Sequence, residues 1–188
     1  MDTFTLLFLI ALAGSLLLRF WLATRQLVHV RKYRDTVPDD FAGKVPLEDH
    51  HKAADNTVTN TRIGMIALAY DSLLLLGWTL GGGLEWLDNS WRAENFSPIV
   101  TGVGVMLSAM IIMALLDLPF SLYHTFVVEE RFGFNRSTLG VFFGDMLKQG
   151  ALLLVIGGPM IALALWIMNA SGGLWWLYVW GVWMAFSL

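Results

Sequence analysis

Ser97–Leu118 reads SPIVTGVGVMLSAMIIMALLDL. Nothing in it is charged before Asp117, and it opens on a Ser-Pro pair. The Ser97 hydroxyl is a good acceptor for an orphan N–H at a helix start. Pro98 then fits the first helical position, where a missing N–H costs nothing. A helix needs about 20 mostly apolar residues to cross the hydrocarbon of a bilayer. The stretch therefore predicts a membrane span over residues 99–118.

The rest of the chain has the same character. Of 188 residues 56% are hydrophobic and 14% charged, whereas a soluble domain carries about 25% charged residues. That composition excludes an ordinary soluble enzyme and excludes disorder, which needs low hydrophobicity and high charge. A net charge of −3 offers no basic surface for nucleic acid. The absence of cysteine rules out a disulfide scaffold, an iron–sulfur cluster and a Cys-type zinc site. Nine Trp suit a chain with many membrane interfaces.

Further spans are predicted over residues 4–24, 63–83 and 149–168, with part of a fifth over 174–188. The first is read as a retained helix, since no basic residue precedes it and no cleavage site follows. The last, at about 22 Å of helix, is too short for a full crossing, so the chain is expected to be cut within an element. Two polar segments separate the spans, 25–62 and 119–148. In the first, a helix from Glu48 is expected to run along the surface and then enter the membrane. In the second, a polar loop precedes an amphipathic helix whose N-cap is Asn135 or Ser137. The fold class is thus all-α: a polytopic bundle of four full spans and a truncated fifth, with cytoplasmic amphipathic helices and membrane lipid as solvent.

Lys and Arg set the orientation. Segment 25–62 holds seven and 119–148 three, against one in the loop 84–98 and none in 169–173. Both long polar segments are therefore expected in the cytoplasm and the N-terminus outside, in the cytoplasmic membrane if the source is bacterial.

Few residues carry legible chemistry. Two adjacent His, His50 and His51, point about 100° apart on a helix, whereas His51 and Asp55 share a face. A solvated polar helix accounts for all three. Asp71 lies eight residues inside its span, at a depth where a carboxylate faces a cavity or a partner. Asp117, two residues before Pro119, is expected at a helix end. Glu129, Arg131 and Asn135 belong to the run EERFGFNR, Glu129–Arg136, read as a loop docked by its charges and two Phe rings. Two glycine pairs, Gly77/Gly81 and Gly140/Gly144, have the spacing of close helix packing.

The same run carries a family resemblance. Leu118–Thr138, LPFSLYHTFVVEERFGFNRST, followed by Asp145-Met146-Leu147-Lys148, resembles the N-terminal half of the type I CAAX prenyl proteases. So does a second stretch: Arg25-Gln26-Leu27, then Val37–Phe41, then Leu47–Asp55. The resemblance implies a seven-helix membrane chamber with a zinc peptidase site built from HExxH and a later Glu. It implies cleavage of prenylated peptides or membrane proteins. Those zinc residues are absent from this chain, which is expected to hold no metal and to be inactive without a C-terminal peptidase half. What the resemblance leaves here is chamber wall, with Asp71 and Asp117 as lining groups and Glu129, Arg131 and Asn135 as braces. Two other readings are a free-standing membrane scaffold or regulator, and a small proton-coupled transporter using Asp71 and Asp117.

Overall fold

The computed structural model describes residues 2–41 and 43–187, almost all of them helical. Leu188, the end of the fifth expected span, lies outside the described residues. Helix α1 runs Thr3–Lys32. It starts on Asp2, whose carboxylate accepts from the Thr5 N–H at 2.8 Å. It ends with His29, Arg31 and Lys32 in its last turn, where cations meet the negative end of the dipole. Helix α2 is Leu47–Thr79 and α3 is Gly83–Ala93. Helix α4 covers Pro98–Phe132, α5 covers Leu139–Ala170, and α6 is Trp175–Ser187.

Three of these, α1, α4 and α5, are each long and apolar enough to cross a membrane. The pair α2 and α3 makes a fourth if taken together. At 1.5 Å per residue, helices of 30 to 35 residues reach about 45–50 Å, well beyond a hydrocarbon core of about 30 Å. The protein is all-α and multi-pass, with helices that carry on past the spans into the polar segments.

The structure corrects four expectations. Segment 119–148 is not a loop followed by a separate helix. Helix α4 passes through Pro119 and reaches Phe132, so only Gly133–Thr138 is non-helical. Asp117 is consequently inside a helix and not at its end. Thr138, rather than Asn135 or Ser137, caps α5, its hydroxyl accepting from the Val141 N–H at 3.3 Å. The Trp-bearing loop 84–98 is mostly the short helix α3. Pro119 is tolerated because neighbouring turns re-satisfy a freed carbonyl in membrane helices. One turn later, over His124–Glu129, α4 widens to π geometry, and α5 does the same over Leu153–Gly157.

The chain forms two compact units. One comprises residues 1–78 and 120–135, the other 79–119 and 136–188. In the first, the Tyr70 and Phe120 rings meet at 4.9 Å, and Val128 and Phe132 of α4 are buried. In the second, α3 lies against α4 through Trp91. Its indole N–H donates to Ser108 Oγ at 3.0 Å, and its ring covers Gly104 so closely that a Cβ there would sit 2.6 Å from ring carbons. Gly102 likewise receives a Leu165 methyl of α5. Gly102 and Gly104 are therefore packing glycines. No neighbour comes within 4 Å of a Cβ built at Gly77 or Gly144, and Gly140 meets only its own Thr138 hydroxyl.

Gly104→Ala is expected to destabilise the second unit by about 1–3 kcal/mol through overpacking against Trp91. Gly77→Ala, in open space, should be neutral or stabilising by up to about 1 kcal/mol, the ordinary helix-propensity gain. Thermal unfolding of both variants in detergent, followed by circular dichroism, checks the contrast.

Candidate functional site

The polar side chains of the first unit converge where α1 ends, α2 begins and α4 stops. Arg34, just past α1, reaches Asp55 on α2 with both arms of its guanidinium. Nε donates to Oδ1 and Nη2 to Oδ2, each at 2.8 Å. Its Nη1 donates to Asp35 Oδ1 at 3.2 Å. The fork matches a carboxylate's two oxygens, the geometry that favours Arg over Lys. The hydrogen bonds from Arg34 hold the Asp55 carboxyl below the usual carboxylate range, and Arg34 is raised in turn by its bond to Asp55. His51 Nε2 stands 2.8 Å from Asp35 Oδ1, but too bent to count as a hydrogen bond. His50 Nε2 contacts the Tyr33 carbonyl at 3.1 Å. The shared face of His51 and Asp55 thus serves ion pairing across a turn, with both Asp55 oxygens taken by Arg34.

His124 bridges α4 to α2. Its Nδ1 lies 3.3 Å from Glu129 Oε1 and its Nε2 3.1 Å from Asn60 Oδ1. Asn60 is oriented by donating its amide to Asn56 Oδ1 at 2.9 Å. Both ring nitrogens face oxygens, so only the doubly protonated ring donates to both. Residues five apart point about 140° away from each other on a regular α-helix. The widened turn over His124–Glu129 is what brings this pair together.

Helix α4 then stops by a Schellman closure. Gly133 takes φ +74, its N–H donates to the Glu130 carbonyl at 3.0 Å, and the Phe134 N–H donates to the Glu129 carbonyl at 2.8 Å. The Asn135 N–H shares that same Glu129 oxygen at 3.2 Å, and its amide donates to Glu130 Oε2 at 3.0 Å. Lys52 of α2 lies over the Phe134 ring at 5.8 Å. The run EERFGFN is therefore a helix stop: Glu129 and Glu130 supply acceptors, Gly133 the left-handed turn, and Asn135 the lock.

Of the residues singled out from sequence, Glu129, Arg131 and Asn135 lie together on this stop. Glu129 is half-buried and Arg131 exposed, its charge felt at Asp55. Asp71 and Asp117 are both exposed and have no hydrogen-bond or ion-pair partner among the described residues. The structure does not bring them into this cluster. Arg34, Asp35 and Asn60 were missed. The signal for Arg34 was an Arg following a helix and preceding an acid-bearing helix, which many chains share. Among the described residues no group of three His, Asp or Glu side chains is arranged to hold a metal ion.

The Arg34–Asp55 tie has a defined pH window. Because the folded carboxyl titrates below its unfolded value, its contribution is whole above the ordinary carboxylate pKa of about 3.9 and is lost as pH falls through the lowered value. Hydrogen exchange at the Arg34 and Asp55 amides should thus be protected equally from pH 8 to 5, after correction for intrinsic rates, and rise only near pH 4 and below. Asp55→Asn should show the raised exchange already at pH 7.

Over residues 26–188 the chain matches the family described as CAAX prenyl protease N-terminal, five membrane helices. It is 29% identical over 143 residues to a CAAX prenyl protease 1 homolog of Caenorhabditis elegans, covering 76% of this chain and 31% of that one. With the homolog of Oryza sativa subsp. japonica it shares 30% over 162 residues, 81% of this chain and 38% of the relative. The chain therefore spans about a third of the length of these relatives. The fold aligns with the crystal structure of S. mikatae Ste24p at a TM-score of 0.83 and 21% identity, over 95% of this chain and 43% of that one. An all-α, multi-pass chain whose helix stop and polar segments lie within so extended a match belongs to the CAAX prenyl protease N-terminal family of integral membrane proteins.

Proposed function

We propose that this chain is the N-terminal, chamber-forming membrane part of a CAAX prenyl protease-like zinc metallopeptidase. In that reading a C-terminal peptidase half holds zinc and cleaves prenylated peptides or membrane proteins. The observation that carries it is the family match over 26–188, together with a fold that aligns with 43% of Ste24p. This chain's own residues would build wall and braces. Asp71 and Asp117 are exposed carboxylates on helices otherwise apolar around them. Within a bilayer such groups must face water or a partner, which suits the lining of a polar chamber. Glu129, Arg131 and Asn135, fixed on the stop of α4, would brace the peptidase half. In this reading residues 1–188 are a single membrane domain, with spans at about 4–24, 63–83, 99–118, 149–168 and 174–188 and with segments 25–62 and 119–148 on the cytoplasmic side.

The gene product recovered from its own cells by an antibody to residues 25–62 is expected to exceed 21.0 kDa and to contain zinc. It should also hydrolyse a farnesylated CAAX peptide, with loss of cleavage on chelation. A zinc-free product of 21.0 kDa without cleavage returns the scaffold reading.

Residues 1–188 hold no cysteine, so a single introduced Cys in this segment reports its orientation once any cysteine elsewhere in the gene product is replaced. Asn89→Cys on α3 and Lys44→Cys before α2 are both at exposed positions. A membrane-impermeant maleimide applied to intact cells should label the first and reach the second only after lysis.

A further inference from the structure

A small hollow opens in the second unit between the end of α3 and the start of α4. Its volume is about 350 Å³, at the lower end of what small-molecule sites enclose. Asp88, Arg92, Asn95, Phe96, Pro98 and Thr101 line it. Thr101 is only 6% exposed, and among the described residues its hydroxyl makes no hydrogen bond. Thr57, Thr59, Thr61, Ser72 and Ser90 each donate to the carbonyl one turn back along their helices. The corresponding carbonyl for Thr101 is that of Ser97, which takes the Thr101 N–H at 2.9 Å instead. A buried hydroxyl left in this state costs free energy. The hollow is the space from which a partner can reach it.

The other groups around the hollow are only partly used. Arg92 gives its Nε to Asp88 Oδ2 at 2.6 Å, which leaves both Nη groups and Asp88 Oδ1 without a partner among the described residues. Asn95, held at φ +55 as α3 closes, donates its amide to the Ala93 carbonyl at 3.2 Å and keeps its Oδ1 open. Phe96 leans on Trp91 with ring centroids 6.1 Å apart, and its own ring stays half exposed. Donors and acceptors are thus offered together, with an apolar ring beside them. An anion is drawn by Arg92 and repelled by Asp88, and a cation meets the reverse. A neutral ligand with several hydroxyls satisfies both, since each hydroxyl donates and accepts. We propose that this hollow binds one ring of a neutral sugar. The Arg92 Nη groups and Asp88 Oδ1 take adjacent hydroxyls, Phe96 meets the C–H face, and Thr101 bonds the hydroxyl that enters deepest. The site is built from the second unit alone and does not depend on the peptidase reading.

The test uses the gene product that carries this chain, purified in a detergent without a sugar head group. Saturation-transfer NMR is recorded with the methyl glycosides of glucose, mannose, galactose and N-acetylglucosamine. At least one should receive saturation at its ring protons, and excess phosphate or choline should not displace it. Asp88→Asn and Arg92→Gln are each expected to weaken that glycoside about tenfold, the loss of a hydrogen bond to a charged group. Thr101→Val should weaken it about threefold and leave the melting temperature unchanged or higher, because the hydroxyl removed has no partner in the free protein. That split separates a ligand contact from a structural role. Lys44→Gln, before α2, is the control expected to leave binding unchanged. No saturation of any of the four glycosides, displacement by phosphate or choline, or undiminished binding in Thr101→Val each overturns the proposal.

Discussion

Inside a bilayer no water is available to a backbone N–H or C=O, so a chain may stop being helical only where it is protected or already outside. That constraint governs where this protein bends. Three helices of 30 to 35 residues, α1, α4 and α5, are each longer than the hydrocarbon is thick. Three of the breaks fall at Gly82, Gly133 and Gly172, which take positive φ and can close a helix without a Cβ penalty. Pro119 sits within α4 and does not end it. A proline frees one carbonyl and bends the axis, whereas stopping needs several carbonyls to be satisfied together. The Schellman closure at Gly133 does that, with the Glu129 carbonyl taking two N–H groups at once.

The two units are held by different physics, and the division follows their surroundings. The polar end of the first is outside the hydrocarbon, where ions are cheap to keep hydrated. Its ties are the Arg34–Asp55 fork and the His124 bridge, with partly exposed partners. Such pairs add little net stability; their use is directional, since a fork and a two-sided imidazole each accept few geometries. In the second unit the burden shifts to close approach. With lipid as apolar as the side chains, hydrophobicity does not drive helices together, and small residues that let backbones and rings touch do. Trp91 over Gly104 and Leu165 over Gly102 are that solution, and the indole N–H finds Ser108 so that no donor is stranded.

The helical, multi-pass character was legible because it rests on runs of apolar residues long enough to have no other meaning. Helix ends past the spans were harder. Polar composition after residue 118 reads as loop, yet charged residues make good helix once a helix is already nucleated beside them. Glycine spacing did not mark the contacts: a Leu165 methyl meets Gly102 and the Trp91 ring meets Gly104, while nothing lies within 4 Å of a Cβ at Gly77 or Gly144. The His124–Glu129 pair was beyond reach. Pattern reading assumes 3.6 residues per turn, and five-residue pairs meet only where the turn is wide. Conversely, the density of charge and aromatic residues in EERFGFN was visible in the letters, since a helix stop that must also dock needs acceptors, a glycine and rings within a few positions.

A charge with no counter-charge says more about function than one that has been neutralised. In the first unit most of the polar cluster is mutually satisfied: Arg34, Asp35, Asp55, His124 and Glu129 consume one another's valences. Such a network orients helices. Asp71, Asp117 and Arg25 stand outside it, each on a stretch where an unpaired ion is costly if lipid surrounds it. Arg25 sits at headgroup depth, where a long stem can carry its charge to phosphate. The shorter Asp side chain cannot reach that far from eight residues inside a span. In the chamber reading Asp71, eight residues inside the expected span, is met by a water-filled space or by a donor from another segment. A chamber wall supplies either, and a bundle packed only against lipid does not.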